Sequence, residues 1–112
     1  MFERVADKHE HYLDLLSARQ KLVASNIANA ETPGYRTQDI DFQAEFAKLV
    51  KGRPADVLEP AGLETRNDGN DVSMEREARL LSENAVRFQL VGMMAKGQFR
   101  AIKNALTEGR GA

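Results

Sequence analysis

The sequence predicts an all-α chain. Two long helices, over about residues 2–30 and 73–107, are joined by a Pro/Gly-containing middle that holds one short helix. Three observations predict this. Apolar residues in the first helix recur at steps of three, four and their sums. A second apolar stripe keeps a strict 4-3 spacing from Met74 to Leu106. Pro33, Pro54 and Pro60 all fall between the two stripes. Steps of three and four gather residues on one helical face, whereas a strand would alternate.

The first stripe comprises Phe2, Val5, Ala6, Tyr12, Leu13, Leu16, Val23, Ile27 and Ala30, with Arg19 and Gln20 interrupting it. A helix of this span is roughly 45 Å long. Thr32-Pro33-Gly34 ends it, because Pro33 disfavours helical geometry at the residue before it and Pro-Gly suits a type II turn.

The middle, Tyr35 to Asn70, has no sustained period. Its apolar cluster Ile40, Phe42, Phe46, Leu49 and Val50 predicts a brief helix from about Asp41 to Val50. Gly52, Pro54, Pro60 and Gly62 then punctuate the chain. A connection this long is either functional or unstructured on its own.

The second stripe is the stronger signal. Met74, Ala78, Leu81, Ala85, Phe88, Gly92, Ala95, Phe99, Ile102 and Leu106 are all apolar or Gly. A 3.5-residue repeat of this length predicts coiled-coil packing. Ala85, Gly92 and Ala95 are small and admit a partner backbone closely. A flank of Leu80, Leu90, Val91, Met93 and Met94 makes the face too broad for a two-helix seam, so more than one neighbour is expected. Asn67-Asp68-Gly69-Asn70 is turn chemistry, and Asp71 or Ser73 can cap the helix. Glu75 and Glu77 suit its positive end; Lys96, Arg100 and Lys103 suit its negative end. Gly109 and Gly111 finish the chain. One domain over 1–112 is expected: 1–35 as helix and turn, 36–72 as variable middle, 73–112 as C-terminal helix.

Composition bounds what such a chain does. It has 112 residues, 42% hydrophobic, 29% charged and 6% aromatic, with no Trp. A small domain of this make-up buries a modest share of its surface alone, so partners are expected to supply stability. The net charge of −1 gives no field that attracts nucleic acid or anionic lipid. The absence of Cys excludes disulfides and thiolate metal sites. The N-terminus carries no apolar signal-peptide region, and no apolar run is long enough to span a bilayer.

Few residues suggest chemistry. His9 and His11 stand at i and i+2, which point to different sides of a helix, whereas a helical zinc pair needs i and i+4. Asn67 to Asp71 lacks the order of a calcium loop and its closing Glu. Lys96, Arg100 and Lys103 share a face that suits a phosphate or lipid, but helix-dipole compensation on a solvated face explains them more simply. No Gly-flanked Ser elbow or phosphate-cradling loop occurs. We therefore expect no catalytic, cofactor or metal residues, no cofactor and no small-molecule substrate.

Ala24 to Phe42 resists a bland reading. Asn26 and Asn29 share a face near a helix end, where Asn side chains readily bond to backbone. They are placed to tie down the following loop or a partner's backbone; a decorated C-cap and turn is the plainer alternative.

Ser25-Asn26-Ile27-Ala28-Asn29-Ala30-Glu31-Thr32-Pro33-Gly34-Tyr35 resembles the N-terminal signature of flagellar basal-body rod, hook and hook-associated axial proteins, S-N-[IL]-A-N-x-x-T-P-G-[YF], at each fixed position. Asp68-Gly69-Asn70-Asp71-Val72, Glu75, Glu83-Asn84-Ala85 and Phe88-Gln89 resemble the C-terminal helix of proximal rod proteins. The likeness covers about residues 5–42 and 66–106. The short length and Asp39-Ile40-Asp41-Phe42 after the turn are similar to the B-type rod proteins of that family.

The resemblance implies an antiparallel, coiled-coil-like pair of terminal helices, self-association, and a mechanical role in the hollow shaft that transmits torque. It implies other rod subunits as partners, with membrane-ring and export-gate proteins at the rod base. It also implies a periplasmic location in the basal body, reached by type III export without a cleaved signal. Asn26, Asn29, Thr32, Pro33, Gly34 and Tyr35 would fix the turn that positions the next subunit. Leu81, Ala85, Phe88, Gly92, Ala95, Phe99, Ile102 and Leu106 would form the packing seam. A cytosolic helical adaptor or export chaperone is the alternative; it explains the amphipathic helices but not the signature. A small hydrolase or metalloenzyme is a third reading.

Overall fold

The computed structural model describes the backbone of residues 2–48 and 53–111 and the side chains of residues 6–48 and 53–108. The expected apolar positions Phe2, Val5, Leu49 and Val50, and the glycines at 52, 109 and 111 as chain punctuation, have their side chains or surroundings outside these described residues. The elements in order are α1 (Phe2–Ala28), β1 (Asp39–Ile40), α2 (Phe42–Lys48), β2 (Val57–Leu58) and α3 (Met74–Gly111). The chain is elongated, 72 × 24 × 19 Å.

The helical pair forms as expected. α1 and α3 pack antiparallel: Asn84 Nδ2 donates to Gln20 Oε1 at 3.1 Å, Arg87 donates to the Tyr12 hydroxyl at 2.9 Å, and Ala95 and Phe99 lie beside Ala6 and Leu13. α1 stops two residues earlier than expected, and α3 runs on to Gly111. With 27 and 38 residues, the two helices are about 40 and 57 Å long.

The face that α3 turns to α1 is displaced from the predicted seam. Glu77, Leu80, Asn84 and Val91 are buried, with Arg87 half-buried between them. This is also a 3-4 repeat, but it lies one residue before the fully apolar one, about 100° around the helix. Leu80 and Val91, expected only as a flank, carry the intramolecular packing. The reason lies on α1, whose inward face presents Gln20 and the Tyr12 hydroxyl, and these need the polar partners Asn84 and Arg87.

Beside this contact, Leu15 and Leu16 form a small core with Ile40 and Phe42, joined by Tyr12, Leu22, Phe46 and Ala55. The Tyr12 ring meets Phe42 and Phe46 edge-on at 5.2 and 5.4 Å. Asp41 caps α2, its carboxylate accepting from the Ala44 amide at 3.1 Å. The two-residue strands, absent from the sequence reading, pair antiparallel with Asp39 opposite Leu58 and Ile40 opposite Val57. At two residues each they gave no period-2 signal. Glu45, and then Asp56, raise the pKa of exposed Lys48 by hydrogen bonding to its ammonium.

Candidate subunit interface

The chain after α1 turns sharply and is held by side chains. Tyr35 N donates to the Thr32 carbonyl at 3.2 Å, and Gly34 has φ +76°, so Thr32-Pro33-Gly34-Tyr35 is the type II turn that Pro-Gly specifies. Asn26 is fully buried and holds the segment that leads into β1. Its Nδ2 donates to Gln38 O at 2.8 Å, and its Oδ1 accepts from Gln38 N at 3.0 Å and from the Tyr35 hydroxyl at 2.9 Å. Asn29 Nδ2 donates back to Ser25 O at 2.9 Å, and its Oδ1 accepts from the Thr32 hydroxyl at 3.1 Å.

A second loop locks the first. Asn70, also fully buried, donates its amide to the carbonyls of Asn29 and Thr32 at 2.9 and 2.8 Å. Its Oδ1 accepts from Val72 N at 2.8 Å. Gly34 N donates to Asp68 O at 2.8 Å, and Arg66 donates to the Ala30 carbonyl. Asp71 accepts from Thr37 N at 2.6 Å and faces Arg36 at 3.3 Å. The helix cap falls to Ser73, whose hydroxyl accepts from Arg76 N at 3.2 Å.

Beneath these loops lies a buried ionic cluster. Arg19 holds Asp39 with two bonds, at 3.1 and 3.0 Å, and Arg76 donates to the same carboxylate. Arg76 also pairs with Glu77 at 2.9 Å. Glu77 is fully buried, and its Oε2 has no hydrogen-bond partner. Arg19 is thus no break in the α1 stripe: it joins α1, β1 and α3 through Asp39 and Arg76.

The apolar seam faces outward. Leu81, Phe88, Phe99, Ile102 and Leu106 are exposed, Phe99 by 72% and Leu106 by 65%. Ala85, Gly92 and Ala95 are exposed between them, and a Cβ on Gly92 would meet nothing within 4 Å. In the single chain the expected core role of Leu81, Phe88, Phe99 and Ile102 is therefore unfilled. This stripe, with Met93 and Met94 alongside, far exceeds the scattered apolar residues of an ordinary surface.

Residues 13–36, from α1 through the turn, match the family described as flagella basal body rod protein. The flagellar basal body rod protein FlgB of Escherichia coli (strain K12) is 34% identical, over 87% of this chain and 88% of its own length. FlgB of Salmonella typhimurium is 33% identical over the same shares. FlgB of Borreliella burgdorferi is 28% identical, over 94% of this chain and 97% of its own length. The chain belongs to the FlgB family of flagellar basal body rod proteins.

Membership in the FlgB family decides for a structural rod component and against the adaptor or chaperone reading. The family match ends one residue past the Pro-Gly-Tyr turn. Within it, the structure brings together Asn26, Asn29, Thr32 and Tyr35 in one hydrogen-bonded knot, with Pro33 and Gly34 exposed at its tip. Of the two roles open to the asparagines, tying down the following loop is the one seen in the chain. Sequence reasoning missed Asn70 and Asp71 as the lock on this knot, and Asp39 and Arg76 as partners of Arg19. An arginine inside an apolar stripe was the available signal, since a buried charge needs a counter-charge. His11 donates to Glu45 O at 3.2 Å and stacks on Phe46 at 6.1 Å. Among the described residues no three His, Cys, Asp or Glu converge as a metal site.

Proposed function

We propose that this rod subunit polymerises by burying the exposed α3 seam, Leu81 to Leu106, against neighbouring subunits, while the knot around Asn26 holds the Thr32–Tyr35 tip as a second contact. The carrying observation is that the chain satisfies its own α1–α3 contact with the polar-apolar stripe Glu77, Leu80, Asn84 and Val91 and leaves the apolar stripe open. Burying such a stripe contributes about 25 cal/mol per Å2 of apolar area, which the monomer forgoes. Contacts between unlike patches of identical chains give open helical assemblies where the rotation between copies does not close, which suits a tube.

The function is mechanical and involves no catalytic step. The neighbours are other rod subunits, with membrane-ring and export-gate proteins at the base, and the chain reaches the periplasmic rod by type III export without a cleaved signal. Gly92→Leu tests the seam. The added side chain enters open space in the monomer and improves helix propensity by about 1 kcal/mol, so helicity is kept. In a subunit seam it blocks close approach. Loss of swimming in soft agar, with unchanged circular dichroism and the variant absent from purified basal bodies, is expected. Normal swimming overturns the seam assignment.

A further inference from the structure

The distal part of α3 carries a charge asymmetry that the subunit seam does not use. Lys96, Arg100 and Lys103 are exposed, and none has an ion-pair partner among the described residues. From Phe88 to Thr107 the helix holds no acidic residue, so the net charge of −1 hides a local excess of positive charge. Helix-dipole compensation does not account for it. α3 runs on to Gly111, which leaves Lys103 about two turns and Lys96 about four turns short of the helix end, whereas the dipole acts within the last turn.

At about 100° per residue, Gln89, Lys96, Arg100, Lys103, Asn104 and Thr107 fall within about a third of the helix circumference, and Met93 is the one apolar side chain among them. Around the rest stand Leu90, Met94, Phe99, Ile102 and Leu106, all exposed, because α1 covers only the side that Val91 faces. Ala95 and Phe99 floor a shallow hollow that the three cations border. Cations at the edge of an exposed apolar face, with long stems that lie along it, are the arrangement of a helix that rests in a bilayer interface. Among the described residues no helix is long and apolar enough to cross a membrane.

We propose that the free subunit binds anionic phospholipid surfaces through α3 from Phe88 to Thr107. The helix lies in the interface, with Lys96, Arg100 and Lys103 on headgroup phosphates and Phe99 among the acyl chains. Charge complementarity names the partner. An apolar face alone suits any hydrophobic surface, but one bordered by three cations and no acid suits a negative one. The contact goes beyond the rod reading. Phe99, Ile102 and Leu106 also belong to the proposed seam, so along this stretch a subunit meets either the membrane or its neighbours.

Co-sedimentation of the full chain with phosphatidylglycerol vesicles, and in parallel with phosphatidylcholine vesicles, tests it. Wild-type chain is expected to bind the first and not the second, and to be released at raised salt. The variant K96Q/R100Q/K103Q keeps helix propensity and is expected to lower the partition coefficient about a hundredfold, from roughly fivefold per cation. Phe99→Ala removes an exposed side chain, and with unchanged circular dichroism it is expected to lower the partition coefficient at least about threefold. No binding by wild type, equal binding to phosphatidylcholine, or unchanged binding by either variant overturns the proposal. Release by inorganic phosphate at the concentration of lipid phosphate also overturns it and assigns the cations to a soluble anion. If K96Q/R100Q/K103Q binds vesicles as wild type does but is missing from basal bodies, the stripe belongs to a subunit contact instead. Vesicle binding by the free chain needs no rod, so its failure leaves the rod reading standing. A chain that binds vesicles but is absent from basal bodies ends the rod reading alone.

Discussion

The Asn70 side chain donates to the backbone carbonyl of Thr32 at 2.8 Å, across 38 residues of sequence. That bond, and its twin to Asn29 O, make the loop before α3 part of the turn after α1. The two long helices are therefore fixed to each other at this end by backbone acceptors and one buried amide. Any contact made by the Pro33-Gly34 tip is referred directly to the start of α3.

Asn70→Ala removes the side-chain donors to two loop carbonyls, which keep their turn amides, and leaves the buried Val72 amide without its acceptor. A buried polar group left unmet costs about 1–3 kcal/mol. The expected outcome is an unfolding free energy in urea denaturation lowered by that amount, together with faster amide exchange across Thr32–Tyr35. Unchanged exchange in that segment would mean that the turn holds without the lock.

Asp39 bears a heavier load. It faces Arg19 and Arg76, each of whose side chains is 15% exposed, while its own is 5% exposed. Asp39→Asn keeps the shape but leaves Arg19 without its counter-charge and Arg76 with Glu77 alone. Breaking a buried pair by removing one partner costs about 3 kcal/mol. Arg19→Met is expected to cost less, because Arg76 still balances Asp39. Paired denaturation curves check the order of the two variants; a reversed order contradicts the central role given to Asp39.

How much of this was legible follows from what each residue touches. Thr32-Pro33-Gly34-Tyr35 was readable as a type II turn because Pro and Gly act on their own backbone angles. The Ser73 cap was readable, as one of two candidates, because it bonds three residues along the chain. Asn70 was not, since its acceptors lie far off in sequence and turn chemistry already accounted for it. Arg19 looked like a flaw in the α1 stripe because Asp39 and Arg76 lie 20 and 57 residues away. The 4-3 pattern of α3 identified an apolar face correctly, but which of two adjacent 3-4 stripes meets α1 depends on the polar groups α1 offers.

Gly69 joins the two loops by close approach. It has φ +85°, and a Cβ there would come within 3.3 Å of the Gly34 Cα. Gly69→Ala therefore meets both an unfavourable backbone conformation, about 1–2 kcal/mol, and a backbone atom that cannot swing aside. A loss of about 2 kcal/mol in denaturation is expected. A neutral effect would show that the loops part without consequence.

Leu80 and Leu81 are neighbours with opposite tasks, and they separate folding from assembly. Leu80 is buried against α1, while Leu81 is 42% exposed. Leu80→Ala opens space in the intramolecular contact and is expected to cost about 2–4 kcal/mol of monomer stability. Leu81→Ala removes a largely solvated side chain, and its effect on the monomer is expected to stay within about 0.5 kcal/mol. In cells the order is different: both are expected to impair swimming, Leu80→Ala through lowered amounts of folded protein and Leu81→Ala with normal amounts of it. Immunoblots of whole cells beside purified basal bodies distinguish the two. A Leu81→Ala protein that is plentiful in cells yet depleted from basal bodies is the expected sign of a lost subunit contact. One that enters basal bodies at the wild-type level would remove Leu81 from the seam.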